Sequence, residues 1–146
     1  MIFFQLLVLV SGSSTPLTIV VSGSMEPVIY RGDVVVLYND YKKPLEVGEI
    51  VAFRVTDDSP TILHRLIYVN HTDNTVVTKG DNNKVSDSSF LYEGKLPMNR
   101  VDSRVWTTIP YIGRPFTWII ENSPIKYATL ILFVIRDLFF PECRLW

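Results

Sequence analysis

The apolar positions of this chain fall into three zones with different periods. Residues 1–10 are apolar apart from Gln5, and the Ser-Gly-Ser-Ser-Thr-Pro stretch at 11–16 ends the run. Ten helical residues cover ~15 Å, about half of a ~30 Å hydrocarbon core, so this run predicts a helix too short to span a bilayer. No basic segment precedes it, which argues against a secretory leader. From residue 17 the pattern changes to short β-branched runs at 17–21, 33–38, 50–55, 61–69 and 75–78, with turn residues such as Asn39-Asp40 and Asp57-Asp58-Ser59-Pro60 between them. Short strands at this spacing predict a mainly β domain, a small barrel or sandwich-like fold. Residues 86–99 are polar and irregular and read as loop, while 100–108 and 109–113 predict one or two further strands.

The third zone lies at the C-terminal end. An apolar run at 127–135 is followed by Arg136-Asp137 and enclosed by Pro124 and Pro141. It is too short for a span, and the charged pair would be costly at mid-bilayer. It predicts a helix lying at a membrane interface; the alternative is a core helix packed on the sheet. The resulting organisation is a partial N-terminal anchor at 1–15, a β-rich domain at 16–118 and an apolar helical segment at 119–146.

Composition narrows the function classes. A length of 146 residues suits one domain with a real core. A formal net charge of −1 with no basic cluster points away from nucleic acid. The single cysteine, Cys143, has no internal disulfide partner. His64 and His71 lie apart with no cysteine beside them, so neither a zinc site nor any other cofactor is expected. Asn70-His71-Thr72 fits the N-glycosylation sequon in a surface turn, which favours a luminal location.

The candidate chemistry centres on Val21-Ser22-Gly23-Ser24-Met25-Glu26-Pro27. A β-branched strand running into Ser-Gly-Ser exposes a hydroxyl on a turn, and Gly23 permits backbone angles closed to other residues. Ser24 is therefore a candidate nucleophile with Ser22 beside it; most such stretches are plain turns. A serine hydroxyl needs a base, and His64 is the obvious one, since neutral imidazole accepts a proton near pH 7. Lys79 is the rival in a Ser-Lys scheme. A carboxylate must then orient the imidazole, and both Asp81 and Asp87 follow the fourth strand-like run. Asp81 sits inside Gly80-Asp81-Asn82-Asn83, where a short carboxylate is expected to bond its own turn.

Ser22-Gly23-Ser24-Met25-Glu26-Pro27 followed by Arg31-Gly32-Asp33 resembles the nucleophile segment of type I signal peptidases. The resemblance continues in family order through Val47-Gly48-Glu49-Ile50-Val51, Leu63-His64-Arg65, Lys79-Gly80-Asp81-Asn82-Asn83 and Ile109-Pro110-Tyr111-Ile112-Gly113, covering roughly residues 16–130. His64 stands where bacterial relatives carry a lysine, so the likeness is to the endoplasmic-reticulum form, the catalytic subunit of the signal peptidase complex. That resemblance implies a serine endopeptidase with Ser24 as nucleophile, His64 as base, Asp87 as orienting acid and Asp81 as a further essential acid. The implied oxyanion donors are the Ser24 backbone N–H and the Ser22 hydroxyl. Implied partners are signal peptides of preproteins, other complex subunits and membrane lipid, with the catalytic domain on the luminal side of the endoplasmic reticulum membrane. Competing readings are a non-catalytic β-domain subunit of a membrane complex and a self-cleaving repressor-type peptidase; the apolar ends argue against the second.

Overall fold

The computed structural model describes residues 2–13, 15–40 and 42–139; Cys143 lies outside them. A ten-residue helix, α1 (Ile2–Ser11), leads into seven strands: β1 (Leu17–Ile19), β2 (Val34–Tyr38), β3 (Ile50–Phe53), β4 (Ile62–Asn70), β5 (Thr75–Lys79), β6 (Leu96–Pro97) and β7 (Val101–Ile109). Two helices follow, α2 (Arg114–Glu121) and α3 (Ser123–Phe139). All seven strands form one antiparallel sheet in the order β1-β2-β7-β3-β4-β5-β6. The last strand is thus inserted between β2 and β3, an order that no local pattern encodes.

The mainly β class holds, and the five strand-like runs appear with ends shifted by one or two residues. The expected loop at 86–99 carries more structure than its polarity suggests. It contains a short 3-10 helix, Asp87–Ser89, and the two-residue β6, whose buried Leu96 pairs with Val76. Two residues are too few to show any alternation. Residues 110–113 turn instead of extending the sheet, and α2 begins directly after them.

The sheet is buried on both faces where it is deepest. Ala52 joins Val20, Met25, Ile29, Val35 and Leu37 in one apolar cluster, whereas its neighbours Val51 and Phe53 join Leu66, Val76 and Leu96 in a second. Successive side chains of a strand point to opposite faces, so β3 carries the boundary between the two cores. Arg104 of β7 is nearly buried and donates to both Glu49 oxygens, the Pro44 carbonyl and the Lys43 carbonyl, tying the chain before β3 to the sheet centre.

A second junction closes the end of β1. The buried Asp33 carboxylate accepts from the Tyr30 N–H at 2.9 Å and the Tyr111 N–H at 3.1 Å. Within Arg31-Gly32-Asp33 the acid is therefore a turn lock, and Gly32 supplies the left-handed φ of +87° that the turn needs. Across the junction, Gly113 packs against Ile19 and Gly32.

The helical ends stay largely uncovered. Leu9 and Val10 of α1, Phe116 and Trp118 of α2, and Leu132 and Phe133 of α3 are all exposed. This exposure sets aside a core helix packed on the sheet at 127–135. No single helix among the described residues is long and apolar enough to cross a membrane. Arg114–Glu121 and Lys126–Arg136 reach that length and composition only as a pair bent by 95°.

Gly113 has a φ of −81°, open to any residue, yet a Cβ there would lie 2.7 Å from Ile19 Cγ2 and 2.9 Å from the Gly32 carbonyl oxygen. Gly113→Ala should therefore destabilise the fold by about 1–3 kcal/mol through overpacking. Thermal melting checks this, and an unchanged Tm would show that α2 is not held at this contact.

Candidate active site

Ser24 sits in the turn after β1, and the turn is anchored from below. Met25 and Ile29 are almost fully buried in the first core, and the Ile29 N–H donates to the Met25 carbonyl. These two apolar anchors hold the backbone while leaving Ser22 and Ser24 at the surface of a cleft. The Glu26–Pro27 peptide is cis. Gly23 does not adopt a positive φ, so the freedom expected of it is not used. The close approach occurs from the other side, at Gly80: a Cβ there would lie 2.7 Å from the Ser24 carbonyl oxygen.

The sheet brings a histidine and an acid to this turn. His64 lies on β4 and Asp87 opens the short 3-10 helix after β5; both are buried, Asp87 completely. Ser24 Oγ is 3.1 Å from His64 Nε2, and His64 Nδ1 is 2.6 Å from Asp87 Oδ2. An ionised carboxylate can only accept, so Nδ1 carries the proton, Nε2 accepts, and the Ser24 hydroxyl donates to it. Ser22 Oγ lies 3.2 Å from Ser24 Oγ. Since the Ser24 proton is directed to His64, Ser22 is the donor of that pair. Among the described residues the Ser24 N–H has no hydrogen-bond partner. An alignment of this kind lets a hydroxyl lose its proton as it attacks and steadies the imidazolium that results.

Asp81 occupies a different place from the one its turn suggests. It accepts from Arg65 Nε at 2.9 Å and from the Arg65 NH2 nitrogen at 2.7 Å, and the NH1 nitrogen donates to the Gly48 carbonyl at 2.7 Å. A bidentate guanidinium outcompetes single turn amides for a carboxylate, and Arg65 is within reach because it pairs with Lys79 in the β4–β5 register. The turn itself is closed by the Asn83 N–H on the Gly80 carbonyl. Asp81 thus braces the residue next to His64 in the chain. The Arg65 guanidinium holds its carboxyl below the usual carboxylate range.

Asn82 belongs to this region without having been singled out by the sequence. Its backbone N–H donates to the Ser24 carbonyl at 2.9 Å, and its side-chain amide donates to the Gly23 carbonyl at 3.0 Å. The turn after β5 therefore grips the Ser24 turn directly. Among the described residues Lys79 makes no hydrogen bond to Ser24, and His71 lies in the exposed turn after β4, apart from these groups.

The cleft over Ser24 has a volume of about 350 Å³ and is mostly apolar. Residues 18–21 line it from one stretch and Thr61, Ile62 and Leu63 from another, together with Phe90 and Leu91. Both stretches present strand edges. β1 is an outer strand of the sheet, and β4 pairs with β5 only from Arg65 onward.

The Arg65–Asp81 pair predicts a specific pH signature. A depressed carboxyl binds its proton less tightly folded than unfolded. Its stabilisation is present above the usual carboxylate range and fades as pH falls through the depressed value. Asp81→Asn should lower the Tm by a few degrees near neutral pH, and the gap to the native chain should close on acidification. A gap that persists unchanged into strong acid would assign the loss to another contact.

No protein-family model matches the chain. Similarity to individual proteins is extensive: it is 40% identical over 130 residues to the human signal peptidase complex catalytic subunit SEC11C, covering 85% of this chain and 67% of the relative. It is 36% identical to SEC11 of Yarrowia lipolytica, covering 88% and 77%, and 34% identical to SEC11 of Candida tropicalis, covering 95% and 86%. The sequence blocks, the β domain and these relatives agree, and the chain belongs to the family of signal peptidase complex catalytic subunits.

Proposed function

We propose that this chain is a serine endopeptidase that removes signal peptides from secretory and membrane preproteins. The observation that carries the reading is the hydrogen-bonded line from Ser24 through His64 to Asp87, with Ser24 and His64 lining a cleft beside two strand edges. Membership of a family of signal peptidase catalytic subunits supplies the substrate class. An extended preprotein segment adds to the edges at 18–21 and 61–64, the strand-addition mode of peptide recognition. Alternate side chains of such a segment point the same way, so neighbouring pockets read the first and third residues before the cut, where small side chains fit.

In the acylation step Ser24 Oγ attacks the scissile carbonyl carbon while its proton passes to His64 Nε2. Asp87 stabilises the imidazolium through Nδ1–H. The developing oxyanion takes hydrogen bonds from the Ser24 N–H and the Ser22 hydroxyl. His64 then returns the proton to the leaving amine, and a water activated by the same imidazole hydrolyses the acyl-serine. Asp81 acts at one remove, through Arg65, in keeping β4 and the turn at 80–83 in place.

The domain at 16–118 carries this chemistry, and the segments at 1–15 and 119–146 hold it to the endoplasmic reticulum membrane with other complex subunits, the catalytic domain facing the lumen. The uncovered apolar side chains of α1, α2 and α3 support lipid contact.

The test is cleavage of a secretory preprotein in membranes. Ser24→Ala, folded and correctly located, should lose processing. Asp87→Asn should lose about 10⁴ in turnover, the size seen when a triad carboxylate becomes an amide. Native processing by Ser24→Ala would reduce the chain to a non-catalytic subunit.

A further inference from the structure

The oxygen of Asp87 that meets His64 also meets a second buried donor. Thr78, fully buried on β5, places Oγ1 2.6 Å from Asp87 Oδ2, and the Tyr92 hydroxyl lies 3.0 Å from the same Oγ1. The other carboxylate oxygen, Oδ1, is buried and has no hydrogen-bond partner among the described residues. His64 and Thr78 are thus the donors that face this carboxylate, both on one oxygen.

The direction of each hydrogen bond follows by elimination. Thr78 has one hydroxyl proton, and the carboxylate can only accept, so that proton goes to Asp87. The Tyr92 hydroxyl must then donate to Thr78 Oγ1. Its own oxygen is occupied as an acceptor by the Thr78 backbone N–H at 2.9 Å. Burial pushes the Tyr92 phenol up, which keeps it a donor. The line runs Tyr92 O–H to Thr78 O–H to Asp87, where it meets His64 Nδ1–H coming from the other side.

The same residues close the loop that carries the acid. The Phe90, Leu91 and Tyr92 N–H groups all converge on the Asp87 carbonyl. The Tyr92 phenol then fastens the far end of that loop to β5. Phe53 packs beneath the arrangement, its ring 6.2 Å from the His64 ring and 6.3 Å, edge-on, from the Tyr92 ring.

We propose that Thr78 and Tyr92 are positioning residues of the hydrolytic site, a directional pair of hydroxyls that keeps the Asp87 carboxylate aimed at His64 Nδ1. The inference rests on the reading of Ser24, His64 and Asp87 given above. A carboxylate turned away from Nδ1 would neither fix the Nδ1–H tautomer nor stabilise the imidazolium. Thr78 supplies a second donor on the oxygen that meets His64, and Tyr92 commits the Thr78 proton to the acid by occupying its acceptor side. Plain satisfaction of buried polar atoms would explain the contacts as packing, without acting on turnover through Asp87.

Preprotein cleavage by the assembled protein in membranes separates the two. Thr78→Val keeps the shape and strand propensity but removes the hydroxyl. It should lower kcat about ten- to a hundredfold, the loss expected for a hydrogen bond to a charged group, with KM little changed. Thr78→Ser should recover most of that loss, and Tyr92→Phe should cost roughly three- to tenfold. In an Asp87→Asn background, Thr78→Val should add almost nothing to the residual rate, because residues acting through one another are not additive. Native kcat in Thr78→Val would overturn the proposal, and so would a full multiplicative loss in the double variant. A shared fall in Tm and rise in KM for Thr78→Val and Thr78→Ser alike would also overturn it, as packing alone. Native turnover in Asp87→Asn would instead overturn the underlying site reading, and this inference with it.

Discussion

A carboxylate with no exposed surface needs hydrogen-bond donors inside a β domain, and that requirement organises much of this molecule. Asp87 meets it with His64 at 2.6 Å and Thr78 at 2.6 Å on one oxygen. The two donors come from adjacent strands, β4 and β5, and the acid from the 3-10 helix that follows β5. The β4–β5 pairing must therefore be in register before the acid can be buried. That register, which sets Leu66 opposite Thr78 and Arg65 opposite Lys79, brings the imidazole and the hydroxyl to the same carboxylate oxygen.

Ser24 is added to this frame by a separate set of contacts. Met25 and Ile29 sink into the first core, while His64 packs against Phe53 of the second. Ser24 therefore reaches His64 across the boundary that β3 draws between the cores. The turn at 80–83 bridges that boundary: Asn82 holds the carbonyls of Gly23 and Ser24, and Gly80 leaves room for the second of them. Asp81 faces away from its own turn to Arg65 and so binds the bridge to β4. The region thus joins three strands at one place, which accounts for three polar residues and a glycine in succession there.

Much of this was legible in the chain, for identifiable reasons. β2 through β5 announced themselves because β-branched runs are closed by strong turn residues, and Ser24 stood out because a small flexible turn follows such a run. His64 and Asp87 were reached through ordered blocks of resemblance; their separations of 40 and 23 residues in sequence are silent about contact. Thr78 gave no signal at all, since a threonine on a strand is ordinary there. Asn82 reads in sequence as one more turn residue, and its grip on the Ser24 turn arises only when β5 is brought beside β1's end. Asp81 departs from local turn chemistry because its partner, Arg65, lies on the neighbouring strand, sixteen residues away in sequence. The insertion of β7 between β2 and β3 is a long-range pairing with no local cause.

The central claim is that Ser24 is made nucleophilic by His64 and Asp87 together, and covalent labelling reads that property without a substrate. A serine-reactive phosphonate applied to the protein in native membranes, followed by peptide mass analysis, reports which hydroxyl reacts and how fast. The account predicts a single adduct on Ser24, with labelling strongly slowed in His64→Ala and in Asp87→Asn. Labelling at another serine, or at an undiminished rate in His64→Ala, would contradict it.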